Sequence, residues 1–167
     1  MAPVTFSALT PEETAGLIHL ARRIWHAHYP GIITVAQIDY MLDRGYTSLV
    51  IDEEVRRQGI LWHTIRYDGT LIGFFSVGPH GGRVMKLHKL YVDPEYHGRG
   101  IGALALAEVE RLARDHGAAS LVLNVNKQNR LAIRAYERAG WHVSSEVIQD
   151  IGSGYVMDDY IMKKELS

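Results

Sequence analysis

The segment from Leu87 to His116 constrains this chain more than any other. An apolar run typical of a β-strand, Leu87 to Val92, passes through Asp93-Pro94-Glu95 into Tyr96-His97-Gly98-Arg99-Gly100-Ile101-Gly102, and a helical repeat begins at once. A strand, a glycine turn and a helix start, in that order, make an anion site. Glycines let the backbone approach a phosphate and aim unpaired amides at it, and the helix dipole adds roughly 0.3 to 2 kcal/mol in favour of negative charge. The spacing of Gly98, Gly100 and Gly102 is not G-x-G-x-x-G, and no Gly-Lys-Ser/Thr follows, which argues against dinucleotide and nucleoside-triphosphate loops. For the glycines taken alone, a tight turn with no ligand is the competing reading.

The flanking periodicities supply the rest of the architecture. Thr10, Pro11 and Glu13 form a capping box, so a helix is expected from there to about His28, with Leu17, Leu20, Ala21, Ile24 and His28 on one stripe before Pro30-Gly31 stops it. Thr34 and Gln37 repeat the box ahead of a helix ending near Gly45, and a third helix is expected over 48–58. From Ile60 the pattern changes to short apolar segments: 60–67, the Asp68-Gly69 turn, 71–77, a glycine break, then 84–92, which reads as an antiparallel meander. A helix over 100–116 with Ile101, Ala105, Val109 and Leu112 as its stripe, a strand at 120–125, a helix over about 129–139 and a final pair of strands, 141–149 and 155–163, complete the order. The expectation is one α+β domain over residues 1–167 with a mostly antiparallel sheet, a size that buries a single core.

Composition removes several function classes. A formal net charge of −1 supplies no field that would drive the chain onto nucleic acid or anionic lipid. The absence of cysteine excludes disulfides, thiolate metal sites and a cysteine nucleophile. Nine histidines raise the question of a metal, but His26 and His28 stand too close for two ligands on one helix face, and no H-E-x-x-H occurs, so no metal is expected. With no leader-like start and no window near the ~18 apolar residues of a membrane span, the expected location is cytoplasmic.

Taken with Leu90-Tyr91-Val92-Asp93-Pro94, the stretch His97-x-x-Gly100-x-Gly102 resembles the acetyl-coenzyme A loop of the GNAT superfamily of N-acetyltransferases, Gln/Arg-x-x-Gly-x-Gly/Ala, with His97 in place of Gln or Arg. The run from Asn129 through Ala132, Tyr136 and Gly140 to Trp141 resembles that superfamily's N-x-x-A-x-x-x-Y-x-x-x-G-F signature, with tryptophan for phenylalanine. The resemblance implies a GNAT-like mixed sheet with helices on both faces, and acetyl-coenzyme A lodged in a splay between the strands at 87–92 and 120–125. The backbone of Leu90, Tyr91 and Val92 would then pair with the pantetheine, one amide there would polarise the thioester carbonyl, and the loop from His97 through Gly98, Arg99, Gly100 and Ile101 to Gly102 would hold the pyrophosphate. It further implies that Asn129 hydrogen-bonds the pantetheine and that Tyr136 protonates the departing thiolate. A phenol of pKa about 10 is matched to a thiolate of similar basicity. Read without the resemblance, Asn129 is a helix cap and Tyr136 a core residue; they lie on one helix face about 10 Å apart along the axis.

An alkylamine acceptor of pKa near 10 must lose a proton before it attacks. His88 is the candidate base, on the strand that feeds the loop; a packed or surface histidine is the alternative. Acceptor contacts are expected from Trp25, Tyr29, Tyr40 and Tyr46, and from Asp39, Asp43, Asp158 and Asp159, all of which are otherwise core aromatics and solvated carboxylates. The segments 24–33 and 157–162 are similar to a bacterial subset that includes polyamine acetyltransferases, which implies a small-molecule amine acceptor. A protein or peptide acetyltransferase and a catalytically silent coenzyme A sensor are the other readings, nucleic-acid binding has no basic-aromatic patch to support it, and pairing of two copies through a sheet edge is what the resemblance implies for assembly.

Overall fold

The computed structural model of the chain describes residues 3–167. Seven strands form one sheet in the order β1-β2-β3-β4-β5-β7-β6. They are β1 (Val4–Ala8), β2 (Leu61–Tyr67), β3 (Thr70–Pro79), β4 (Val84–Val92), β5 (Ser120–Asn126), β6 (His142–Gly152) and β7 (Tyr155–Glu165). All neighbours are antiparallel except β4 and β5, which are parallel and joined by the helix α4 (Ile101–Asp115). The other helices are α1 (Thr14–His28), α2 (Val35–Gly45), α3 (Ser48–Arg57) and α5 (Arg130–Arg138). The mixed, mostly antiparallel α+β sheet is the architecture expected.

Two apolar clusters, one on each face, hold the sheet between helix layers. On one face Ile101, Ala105, Leu106, Val109 and Ala113 of α4 pack against Phe75, Leu87, Leu121, Leu123 and Met162. On the other, Leu17, Leu20, Ala21 and Ile24 of α1, with Ile38, Leu42 and Ile51, cover Trp62 and Phe74. Strand β3 is buried on both faces along most of its length, which is why its sequence reads as a continuous apolar run and not as an alternation.

Local chemistry sets the helix starts. The Thr10 amide donates to the Glu13 carboxylate at 3.0 Å, and a short 3-10 turn at Pro11–Glu13 runs into α1. Thr34 caps α2 by accepting from the Gln37 amide at 3.1 Å. The Gln37 side chain does not close a second capping box as expected; it is buried and donates to the Val156 carbonyl on β7 at 3.3 Å. Strand β1 was not anticipated: five residues carry little periodicity, and pairing with β2 from Val4↔Tyr67 to Ala8↔His63 defines it. Among the described residues no helix is long and apolar enough to cross a membrane.

Candidate active site

Strands β4 and β5 pair only at Val84↔Ser120, Met85↔Leu121 and Lys86↔Val122. On the other side of β4 the register slips from Val77↔Leu87 to Ser76↔Lys89, which makes His88 the extra residue of a β-bulge. A bulge bends its strand, and beyond it β4 leaves β5, opening a cavity of about 830 Å³ between them. The splay lies where the resemblance implied.

Leu90, Tyr91, Val92, His97, Gly98, Gly100, Ile101 and Gly102 line this cavity from β4 and the loop, and Asn129 and Tyr136 line it from α5. Gly98 and Gly100 have φ of 79° and 77°, in the left-handed region that costs a side chain roughly 1 to 2 kcal/mol. A Cβ at any of the three loop glycines would meet nothing within 4 Å. Packing therefore does not require glycine at Gly102, which sits in α4 with ordinary helical backbone; open space for a ligand does fit it. Amides at the N-terminus of α4, a concave glycine backbone and unpaired strand edges suit a phosphate-bearing, extended ligand such as coenzyme A.

These glycines separate by experiment. Gly100→Ala is expected to destabilise the fold by about 1 kcal/mol and to shrink the thermal shift that coenzyme A produces. Gly102→Ala is expected to stabilise the helix by roughly 0.5 kcal/mol. Melting curves with and without the cofactor read both effects.

Two loop side chains have partners within the protein. His97 donates from Nε2 to the Val92 carbonyl at 2.9 Å, so its ring fastens the loop to the end of β4, and that carbonyl is already taken. The Arg99 guanidinium lies 5.1 Å from the ring centroid of Tyr96 and 5.4 Å from that of Tyr67, outside the cavity lining. Asp93 is held beneath the loop by accepting from the Glu95 amide at 3.0 Å and from Arg23 of α1 at 2.6 Å, which ties the loop to the opposite helix layer.

Asn129 is both cap and cavity wall. Its Oδ1 accepts from the Ala132 amide at 3.4 Å and lies 3.2 Å from His28 Nε2, a contact that bridges α1 to α5 across 101 positions of sequence. Tyr136 packs on Trp141 with ring centroids 5.8 Å apart, and burial, then Tyr29, pushes its phenol well above the ordinary range. The Tyr29 and Tyr91 hydroxyls meet at 2.8 Å, with Tyr29 pushed up to about 12 by burial. His88 faces the cavity at the bulge, where desolvation, then Lys86, Lys89 and His80, lower it to about 4. The direction of this shift favours the neutral imidazole.

The acceptor side of the cavity is walled by Trp25, Tyr29, Tyr40, Tyr46, Met157 and Asp159. Asp39 and Asp43 face elsewhere, pairing with His26 and Arg22 at 3.0 and 2.7 Å, and Asp158 pairs with Lys127 at 2.8 Å. Asp159 is buried, with 4% exposure, and its Oδ1 has no hydrogen-bond partner. Nothing in the sequence distinguished Asp159 from its neighbour Asp158; the strand alternation that turns one inward and the other outward required the register of β7.

Residues 21–141 match the Acetyltransferase (GNAT) family. Over 154 residues the chain is 30% identical to the spermidine N(1)-acetyltransferase of Thermoplasma acidophilum, covering 90% of this chain and 92% of that protein. It is also 30% identical over 152 residues to an uncharacterized N-acetyltransferase of Mycobacterium tuberculosis, covering 90% and 96%. The crystal structure of the PaiA N-acetyltransferase from Thermoplasma acidophilum in complex with coenzyme A superposes with a TM-score of 0.79 at 28% identity, covering 98% of this chain and 99% of that one. A splayed parallel pair with a glycine loop at the head of the crossover helix defines an acyl-coenzyme A-binding fold. The chain belongs to the GNAT family of acetyltransferases: it is an N-acetyltransferase, and its cosubstrate is acetyl-coenzyme A.

Proposed function

We propose that the chain acetylates the primary amine of a small molecule, a polyamine first among candidates, by direct transfer within a ternary complex. The observation that carries the small-molecule reading is the roof over the acceptor side. Tyr40 of α2 donates to the Ile151 carbonyl at 2.7 Å and Gln37 to the Val156 carbonyl at 3.3 Å, so the β6–β7 hairpin is fastened to α2 beside the acceptor side, which favours a small acceptor over an extended peptide. The likeness to a spermidine acetyltransferase over nearly the whole chain supports the polyamine. Arg44 and Lys89 on the same wall favour a second reading, an acceptor that carries a carboxylate beside its amine.

Acetyl-coenzyme A supplies the activated acetyl group. The loop amides from Gly98 to Gly102 hold its phosphates, the backbone of Leu90 and Tyr91 lines its extended arm, and Asn129 offers the arm an amide. Tyr136 serves as the general acid for the leaving sulfur. Its raised pKa keeps it loaded with a proton at any working pH, and the same dry surroundings raise the basicity of a thiolate beside it. The environment of His88 revises its candidacy as base: protonating it would add a cation beside Lys86 and Lys89.

Thiol release from acetyl-coenzyme A, measured with polyamines, amino acids and lysine peptides, tests the reading. Turnover with polyamines or another small amine and none with peptides is expected. Preference for amino acids would select the second reading, and preference for peptides would overturn both.

A further inference from the structure

Among the described residues, Asp159 is the one carboxylate on the wall of the cavity. It projects from β7 at the register position opposite Asn126 of β5 and Val147 of β6, with 4% exposure and an Oδ1 that no protein group satisfies. The charged and titratable groups around it do not neutralise it. Lys127 is already held by Glu146 and Asp158, each at 2.8 Å. Lys86 of β4 is half-buried; burial disfavours its charged form and the attraction of Asp159 opposes that, but among the described residues no ion pair joins the two. Tyr29, just past the end of α1, is a phenol raised to about 12. A buried carboxylate with an unpaired oxygen and no ion-pair partner is costly to the fold, and a cation entering the cavity would supply what is missing.

We propose that Asp159 receives the ammonium group of the acceptor and takes its proton, serving as the general base of the transfer. This rests on the amine-acetylation reading above. Asp159 accepts one proton from the ammonium, leaving a neutral amine whose lone pair forms the C–N bond as the thioester C–S bond breaks. Tyr136 gives its proton to the departing sulfur and recovers one from the acylated nitrogen; the proton on Asp159 passes to water as product leaves. Transfer to Asp159 turns an ion pair into two neutral groups, which a low-dielectric cavity favours, whereas transfer to His88 would build a new cation among lysines. Burial, then the repulsion of Asp158, raises the basicity of Asp159 against the opposing hydrogen bond from Asn124, in the direction a base near neutral pH requires.

The test compares wild type with Asp159→Asn on two acceptors, an alkylamine that is cationic at pH 7 and an alkoxyamine that is neutral there. The variant is expected to lose roughly 10²-fold in kcat/KM with the alkylamine, to recover as pH rises toward the amine's own pKa, and to stay within about threefold of wild type with the alkoxyamine. A second readout needs no turnover: with coenzyme A bound, the alkylamine should raise the melting temperature of wild type and not of the variant. Without ligand, the variant should melt at or above wild type, since a buried unpaired charge has been removed; if it unfolds, Asp159→Ser replaces it. Equal alkylamine rates in both proteins, or equal amine-induced shifts, overturn the proposal. If wild type releases no thiol from any amine yet shows an amine shift that depends on Asp159, the catalytic reading fails and the binding site stands. Absence of the shift in both proteins overturns the site itself.

Discussion

Tyr136→Phe is expected to lower turnover roughly 10²-fold while leaving the melting temperature and the coenzyme A-induced shift near wild type. The ring's structural work is done by its faces: it packs on Trp141, and it is held at the far wall of the cavity by α5, whose N-terminus Asn129 caps. Phenylalanine keeps that packing and removes only the hydroxyl. What disappears is the proton for a leaving thiolate, so the deficit should lie in kcat more than in KM. Burial, then Tyr29, raises this phenol, so the wild-type alkaline limb should not reflect its loss of a proton near the ordinary tyrosine value; a limb at about 10 belonging to Tyr136 would contradict the assignment. Single-turnover thiol release by wild type and variant separates chemistry from product release, and a loss under about threefold with an intact fold would exclude the general-acid role.

The second large effect falls on a glycine that no motif marks. A Cβ on Gly73 would stand 2.4 Å from the Tyr91 carbonyl oxygen, 3.2 Å from Val92 Cα and 3.3 Å from the Ile65 side chain. Two of these neighbours are backbone and cannot swing aside. Gly73→Ala must therefore push β3 off β4 at Gly73↔Val92, the stretch of β4 that faces the cavity. Overpacking of this kind costs typically up to about 3 kcal/mol, or roughly 10 °C in melting temperature for a chain of this size. Urea denaturation should show the full loss, with the coenzyme A shift diminished in what remains folded. A loss below about 1 kcal/mol would mean that the two strands separate there without strain.

Much of the site was legible because its recognition elements are contiguous. The loop from His97 to Gly102 and the helix from Asn129 to Tyr136 are each a single element whose chemistry depends on spacing along the chain, and both line the one cavity. The loop side chains were less legible. His97 and Arg99 were read as cofactor contacts with the rest of the loop; His97 lines the cavity with its ring held by a carbonyl at the end of β4, whereas the Arg99 side chain lies on two aromatic faces outside the lining. His88 carried the right residue type for a base, and the lysines that depress it could be seen in the sequence; the desolvation that leads the effect could not.

By itself the sequence determined the order of the elements after β1, the glycine loop as an anion site and the family resemblance, because these depend on periodicity, capping residues and short spacings. The tertiary structure alone decided the rest. It set β1 at the sheet edge and β7 between β5 and β6, ended the β4–β5 pairing at Lys86↔Val122, and turned Asp159 rather than Asp158 into the cavity. Each of these depends on which residues meet across gaps of tens of positions. Strand register and burial fix such meetings, and a one-residue slip would have exchanged the two faces of β7 and turned the other aspartate inward.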